Sequence, residues 1–578
     1  MSPKGIPSYR IPFTGTNHMV SSGHYLATMS GSKILEEGGN AIDAGVASGI
    51  ALNVTVPHYT NFGGVAPILI YHAASGEVVS ISGLGRWPKA FNLEDYRKKY
   101  DNDMPAGIPR SVVPSACDAW LTALEHYGTM TFEQVVAPSI ELAGNGFPTS
   151  YLLSMHAHAS QKYIGQFQSS AEIFMPGGKP LHQGQVVVQR DLANVFRQMV
   201  DVEKANSHKG REGAIRAARD YFYKGDVAEK MGQFSQEQDG LITYDDIAQF
   251  SVEIEKPQVG TYKDYTLYTC GPWCQGPTLI EILQILEGFD LKSMGHNSAQ
   301  YVHTVIEAIN LGFADRHNYY GDPDFVEVPL AGLLSRGYAA DRRNAIDPNK
   351  AWPEMPPEGD PWPYEGKVRT RGHVPAIPRT AAAEPDTSYT CVVDRWGNAF
   401  SATPSDFITS SPIVPGLGMI ISSRGSQSWL DPEYPSCVEP WKRPRLTPNP
   451  AMALKNGHLF MPFGTPGGDA QVQSMVQMFL NMVEFGFDTQ QAIEEPRARS
   501  TSFPSSFWPH AYYPGRLSIE GRFSEEVAAG LDKMGHKVDW LPDWTTATGG
   551  MSGIMVDRER GILIGGADPR RDNYAMGW

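Results

Sequence analysis

The stretch 384-EPDTSYTCVVDRWGNAFSAT-403 decides how the rest of this chain is read. Ser388, Thr390 and Val392 alternate with Tyr389, Cys391 and Val393, 394-DRWGN-398 makes a turn, and Ala399–Thr403 returns. Period-two alternation around such a turn predicts a β-hairpin. The run before it, 351–386, is rich in Pro, Gly and charge, has no period, and predicts an extended surface linker. A hairpin buried inside a domain needs no such entrance. A hairpin that becomes a new chain end, beginning at Thr387, does.

A threonine hydroxyl is a weak nucleophile without a base beside it. At a chain N-terminus the α-amine, with an ordinary pKa of about 7.7–8.0, supplies that base. The β-methyl also restricts χ1 and helps hold the hydroxyl in one direction. Both advantages require the Asp386–Thr387 bond to be cut. On pattern alone, a threonine that merely opens a strand is the commoner reading.

The chain has 578 residues, more than an average domain but within the range of single large enzymes. Hydrophobic residues at 41% and charged residues at 19% exclude a disordered chain. A net charge of −15 argues against nucleic acid or an anionic membrane as partner, while a locally basic pocket for a small anion stays open. Five scattered cysteines (Cys117, Cys270, Cys274, Cys391 and Cys437) form neither a disulfide framework nor a zinc pattern and read as buried thiols. No signal-like apolar segment opens the chain and no uninterrupted apolar span follows, so the expectation is a soluble, cytoplasmic protein.

Segment 39–54 predicts a helix capped by Asn40, with Ile42, Val46, Ile50 and Val54 on one face and small residues around the rest, as in a buried layer. Residues 66–82 predict two short strands around a Ser-Gly turn. Segment 297–320 predicts a helix with an apolar stripe of Val302, Val305, Ile306, Ile309 and Phe313. His303 and His317 lie off that stripe and read as helix-surface or second-layer histidines, not ligands. Segment 467–486 predicts a helix stopped near Gly486, and 553–566 a hairpin. Runs of helices and runs of strands point to stacked layers, not an alternating βαβ sheet.

Met155-His156-Ala157-His158 holds an H-x-H pair with no accompanying ligand motif, so no metal or organic cofactor is expected. The stretch 464-GTPGGDAQ-471 lacks the features of a P-loop or a dinucleotide site. It does set backbone N–H groups at a helix N-terminus, where they suit an anion, including the oxyanion of acyl transfer. A plain tight turn is the alternative. No G-x-S-x-G elbow is present.

Several stretches together resemble γ-glutamyltransferase family proenzymes, which are N-terminal nucleophile hydrolases. They are 38-GGNAIDAGVASGIALNVTVPH-58, 283-LQILEGFDL-291, 313-FADRHNYYGDPDFVEVPLAGLLS-335, 387-TSYTCVVDRWGNAFSAT-403, 441-WKRPRLTPNPAM-452, 464-GTPGGDAQ-471 and 565-GGADPRR-571. The resemblance spans nearly the whole chain in the family's order. It implies an α+β fold, a four-layer αββα sandwich formed as one domain by a large subunit 1–386 and a small catalytic subunit 387–578. It implies self-cleavage between Asp386 and Thr387, Thr387 as nucleophile, Gly467 and Gly468 as oxyanion donors, and Thr403 or Ser405 as a second, supporting hydroxyl. The linker 351–386 is expected to swing away after the cut, because it would otherwise cover Thr387.

The departures concern the substrate. Where the family places a carboxylate-binding arginine, this chain has Leu84, with Arg86 two residues on. Where it places a serine pair, this chain has Leu446 and Thr447. The acidic pair that binds the glutamyl ammonium is replaced by 422-SSRGSQSWLDPEYP-435, with Arg424, Ser426 and Gln427 in its stead. An arginine in a pocket selects planar oxyanions, and this variant is similar to the branch holding oxamate amidohydrolase and glutathione-hydrolase-like proteins. The resemblance thus implies a threonine amidohydrolase that cleaves, or transfers the acyl group of, γ-glutamyl amides such as glutathione. The alternatives are a hydrolase of a small carboxylate-bearing, oxamate-like amide, or an uncleaved, non-catalytic relative. Its expected partners are the small-molecule amide and the two subunits with each other, with a homodimer left open.

Overall fold

The computed structural model describes residues 8–377 and 386–578. Two seven-stranded antiparallel sheets face each other. The first runs Phe13–Gly15, Ile562–Ala567, Ser552–Asp557, His458–Gly464, Ala451–Lys455, Tyr265–Thr269, Gln258–Tyr262. The second runs Tyr574–Gly577, Met19–Ser22, Thr390–Val393, Ala399–Ala402, Ile68–His72, Glu77–Ile81, Ile254–Glu255. Met19, Leu69, Tyr389, Cys391, Met452, Ile554 and Leu563 interdigitate between them. Helices Ala41–Thr55 and Ala116–Tyr127 cover the outer face of the second sheet. Helices Gly276–Leu286, Ala299–Tyr319 and Ala470–Val483 cover the first. The result is an αββα sandwich whose strands come from both sides of residue 387.

The helix Ala41–Thr55 is buried along its whole length, as its small residues predict. Asn40 and Asp43 close a reciprocal capping box at its start. The predicted hairpin forms as Thr390–Val393 and Ala399–Ala402. Its turn residue Asp394 accepts from the N–H groups of Trp396 and Asn398, both at 2.9 Å, and from Ala41 N–H at 2.8 Å. The hairpin turn therefore caps the buried helix as well. Gly45 lets the helix close on Phe400, since a Cβ there would fall 2.2 Å from the ring. The strands around Ser75-Gly76 and the hairpin Ser552–Asp557/Ile562–Ala567 also form as predicted.

The run 351–377 is irregular, with one short turn at Trp362–Glu365, but it is not a loose surface linker. Trp362 is buried among Tyr319, Tyr320, Leu333 and Tyr338, and Val374 against Trp429 and Tyr434. Gly359 N–H donates to Asp315 Oδ1 at 2.8 Å, and Tyr319 Oη donates to Gly359 O at 2.6 Å. Apolar side chains at these points outweigh the Pro-rich backbone's preference for solvent. Residues 378–385, the rest of the predicted linker, lie outside the described residues.

His303 and His317 are both buried, so the helix-surface alternative falls and the second-layer one stands. His303 Nδ1 lies 2.9 Å from His536 Nε2, and its Nε2 lies 2.8 Å from Asp347 O. Glu307, one turn on, accepts from Asn310 Nδ2 at 3.1 Å and Trp352 N–H at 3.0 Å. These contacts tie residues on both sides of position 387 to the root of the 351–377 run.

Burial, partly offset by those two donors, raises the Glu307 carboxyl to about 7. Burial lowers both His303 and His536, which disfavours a compensating charge on either. A carboxyl raised in the folded state stabilises fully below its unfolded pKa, and that contribution is lost as pH rises through 7. In a Thr387→Ala background, Glu307→Gln is expected to gain about 2–3 kcal/mol relative to its parent between pH 5 and pH 8. Denaturant unfolding at both pH values measures this; a pH-independent difference would contradict it.

Candidate active site

The site grows out of the hairpin register. Thr390 pairs with Ala402, and the same register carried three residues further pairs Thr387 with Ser405. Alternation then sends Thr387, Tyr389 and Cys391 toward the space between the sheets. Thr390 points the other way, with its hydroxyl 2.9 Å from Ser48 Oγ on the covering helix.

Thr387 Oγ1 lies 2.9 Å from Ser405 Oγ. The carbonyl oxygen of Asp386, on the peptide bond to Thr387, accepts from Ser405 Oγ at 3.1 Å and from Arg424 Nη2 at 2.9 Å. Arg424 Nη2 also donates to Ser405 Oγ. The Asp386 carboxylate accepts from Thr387 N–H at 2.8 Å and pairs with Arg571 Nη2 at 2.5 Å. Thr387, Ser405 and Arg424 are all buried. Burial lowers the Arg424 guanidinium to about 10, with Asp406 and Asp386 opposing the shift. Burial also lowers that of Arg571, but Asp386 and the other partners more than offset it, so the net direction is upward.

Asp406 shapes the loop that delivers Arg424. It has a positive φ of 108°, a strained conformation for a residue with a side chain. Its carboxylate accepts from Ser422 Oγ at 2.5 Å and Ser423 Oγ at 2.7 Å, and lies 3.9 Å from Arg424 Nε. After Arg424, the Trp429 ring is stacked between Tyr434 and His510 at 3.7 and 3.6 Å, which stiffens the same loop.

Gly467 and Gly468 have φ of +121° and +56° at the mouth of helix Ala470–Val483. Among the described residues neither N–H donates to a protein acceptor, and Gln471 on the next turn lies 3.5 Å from Thr387 Oγ1. Gln275 Nε2 bridges Gly468 O at 3.0 Å and Thr447 O at 2.9 Å. Gln275 Oε1 accepts from Arg316 at 3.1 Å, and Arg316 pairs with Asp469. This buried polar scaffold holds the glycine turn beside the Thr447 segment.

Of the residues singled out in the sequence, Thr387, Asp386, Ser405 and Arg424 come into direct contact. Gln427 and Thr447 form a second pair, Nε2 to Oγ1 at 3.0 Å, with Gln427 Oε1 buried and unpartnered. Ser426 is buried and contributes its carbonyl to Trp508 N–H at 2.7 Å. Thr403 is buried on the inner face, but its hydroxyl has no partner among the described residues, so Ser405 is the hydroxyl that touches Thr387.

Arg86 stands apart from this group. Its guanidinium is committed to Asp324 at 2.9 Å, Glu253 at 3.1 Å and Asp322 at 3.4 Å, and to Trp441 O at 3.1 Å. His156 bonds Tyr59 Oη at 3.1 Å while His158 bonds Ser154 O at 2.8 Å, so the H-x-H pair does not converge. Donor atoms of His303, Glu307 and His536 do lie within 4.8 Å of one another, in the hydrogen-bonded cluster described above. Asp406, Gln471 and Arg571 were not singled out by sequence reasoning. Asp406 directly follows Ser405, and the other two lie in the resembling stretches 464–471 and 565–571.

The family model of gamma-glutamyltranspeptidase matches residues 27–578. This chain belongs to that family. It is 33% identical to the glutathione hydrolase-like YwrD proenzyme of Bacillus subtilis (strain 168), over 97% of this chain and 99% of that one. It is 28% identical to the oxamate amidohydrolase proenzyme of Klebsiella pneumoniae subsp. pneumoniae, over 97% and 99%. The crystal structure of cephalosporin acylase from Bacillus halodurans superposes with a TM-score of 0.85 at 27% identity, covering 100% of this chain and 99% of that one. The chain is thus a proenzyme of an autoprocessing amidohydrolase with the N-terminal nucleophile hydrolase fold. Among the described residues no helix is long and apolar enough to cross a membrane.

The placement of Arg86 makes a prediction. Arg86→Ala is expected to lower stability by about 1–3 kcal/mol, since Asp322 keeps Arg443 at 2.8 Å as a partner. It should leave KM within about twofold, because uniform binding energy is lost only when a substrate contact is removed. Thermal melts and steady-state kinetics on the folded variant check both.

Proposed function

We propose that the processed enzyme is an N-terminal threonine amidohydrolase for amides whose acyl part carries a carboxylate and no α-ammonium. Thr387 Oγ attacks the amide carbonyl, and the freed α-amine takes its proton and returns it to the leaving amine. The N–H groups of Gly467 and Gly468 hold the oxyanion. Water then hydrolyses the acyl-enzyme; an amine in its place would give transfer. Chains 1–386 and 387–578 stay together, because each contributes strands to both sheets.

One observation carries the substrate reading. Arg424, in contact with Ser405 beside Thr387, is buried, with Asp406 3.9 Å from its Nε and, among the described residues, no hydrogen-bond acceptor on Nε or Nη1. Unmet guanidinium donors suit a carboxylate, and their burial without one is costly. Among the described residues no comparable cage for an ammonium supports the other class. Asp406 is taken up by Ser422 and Ser423, and Asp469 by Arg316 and Ser506. A γ-glutamyl substrate such as glutathione is the second reading, supported by the name of the YwrD-type relative.

Two measurements test this. The parent chain is expected to give two bands on denaturing electrophoresis, split before Thr387, and Thr387→Ala a single full-length band; a single band from the parent would favour a non-catalytic relative. On the cleaved enzyme, kcat/KM for an oxamate-like amide is expected to exceed that for a γ-glutamyl anilide by at least tenfold, about 1.4 kcal/mol of transition-state preference. The reverse preference would install the γ-glutamyl reading.

A further inference from the structure

We propose that Arg424 is the catalytic electrophile of self-cleavage: its Nη2, with the Ser405 hydroxyl, forms an oxyanion hole for the chain's own Asp386–Thr387 bond, separate from the Gly467–Gly468 turn. The inference rests on the reading of Thr387 as nucleophile and deepens it.

The hydrogen-bond inventory assigns every proton here. Arginine can only donate, so Ser405 Oγ accepts from Arg424. A carbonyl can only accept, so Ser405 spends its one hydrogen on Asp386 O, at 3.1 Å. Thr387 must then donate to Ser405, at 2.9 Å. The attacking hydroxyl is thereby oriented, and the attacked carbonyl has two donors on its oxygen, one of them cationic at 2.9 Å. The other end of the residue is held as well, by Arg571 and by Thr387 N–H on the carboxylate. Phe407 and Phe507 lie 5.3 and 5.6 Å from the Arg424 guanidinium, and apolar walls of this kind make a charge count for more. The nearest counter-charge, Asp406, sits at the Nε edge and leaves Nη2 to the carbonyl.

The step balances. Thr387 Oγ bonds to the Asp386 carbonyl carbon, and its proton moves to Ser405 as Ser405 passes its own to the carbonyl oxygen. Arg424 meets the partial negative charge that builds on that oxygen before the proton arrives, and that proton is the one later passed to nitrogen. The C–N bond breaks, the proton reaches the Thr387 nitrogen, and an Asp386 ester of Thr387 remains. Water hydrolyses the ester to the Asp386 carboxylic acid and a free Thr387 amine and hydroxyl.

The test is a time course of cleavage of the purified full-length chain on denaturing gels. Arg424→Gln, shown to be folded by its thermal melt, is expected to slow cleavage by about 100–1000-fold, the usual loss on removing one oxyanion donor. Added guanidinium ion should restore part of that rate, which a purely structural role would not permit. Arg424→Lys, with a single ammonium in place of the planar fork, should slow cleavage by about tenfold. A folded Arg424→Gln chain that cleaves at the parental rate overturns the proposal. If Arg424→Gln does not fold, a parental rate in Arg424→Lys overturns it. Cleavage persisting in Thr387→Ala would instead remove the underlying reading of the nucleophile.

Discussion

One antiparallel register carries this site. Because Thr390 faces Ala402, Thr387 must face Ser405 three residues on, and the period of a strand sends both side chains into the space between the sheets. A slip of one residue would turn Thr387 toward the helical layer and expel Tyr389 and Cys391 from the core. The register is held from outside as well. Met19–Ser22 pairs along one side of the hairpin and Ile68–His72 along the other, and the turn residue Asp394 is bonded to the start of a buried helix. The position of the Asp386–Thr387 bond is therefore a property of the whole second sheet.

The protein also buries several cations. Arg316, Arg424, Arg445 and Arg497 are all enclosed. Three of them have a carboxylate within 4 Å: Arg316 pairs with Asp469 and Arg497 with Asp568, and Arg424 Nε lies 3.9 Å from Asp406. Among the described residues Arg445 bonds Ser506 Oγ at 3.3 Å and Arg316 O at 3.4 Å, and burial together with Arg316, opposed by Asp469, lowers it to about 9. Arg424 is bonded to the precursor's own carbonyl. Uncompensated buried charge is expensive, and these guanidiniums are accordingly tied to carboxylates, carbonyls and hydroxyls. On the proposed reading, Arg424 serves twice, on Asp386 before the cut and on substrate after it.

Local pattern made much of the fold legible. The capped helix at Asn40, the hairpin on either side of 394–398 and the Gly-opened helix at 470 follow from caps, period and turn residues, and all form where those signals put them. Thr387, Ser405, Arg424 and the glycine pair were visible because they lie in contiguous motifs. Other features were hidden because they depend on pairs distant in sequence. Arg86 read as a candidate for the substrate carboxylate or a surface residue, and the structure commits its guanidinium to Asp322, Asp324 and Glu253. The Pro-rich run read as loose until Trp362 and Val374 were found in apolar pockets. Composition reports a segment's preference for solvent, not whether a hydrophobic cleft waits for two of its side chains.

By itself, then, the sequence pointed to the layer architecture and to the family to which the chain belongs, and nominated Thr387 as the residue before which we propose the cut, because these rest on local periodicity and on contiguous motifs. Only the tertiary structure decided which hydroxyl touches Thr387, which arginine touches the Asp386 carbonyl and which is committed to a cluster of carboxylates. Those choices depend on distances of a few ångströms between side chains brought together from positions 86, 322, 386, 405, 424 and 571. Such distances are set by sheet register and helix packing, and no stretch of chain read alone contains them.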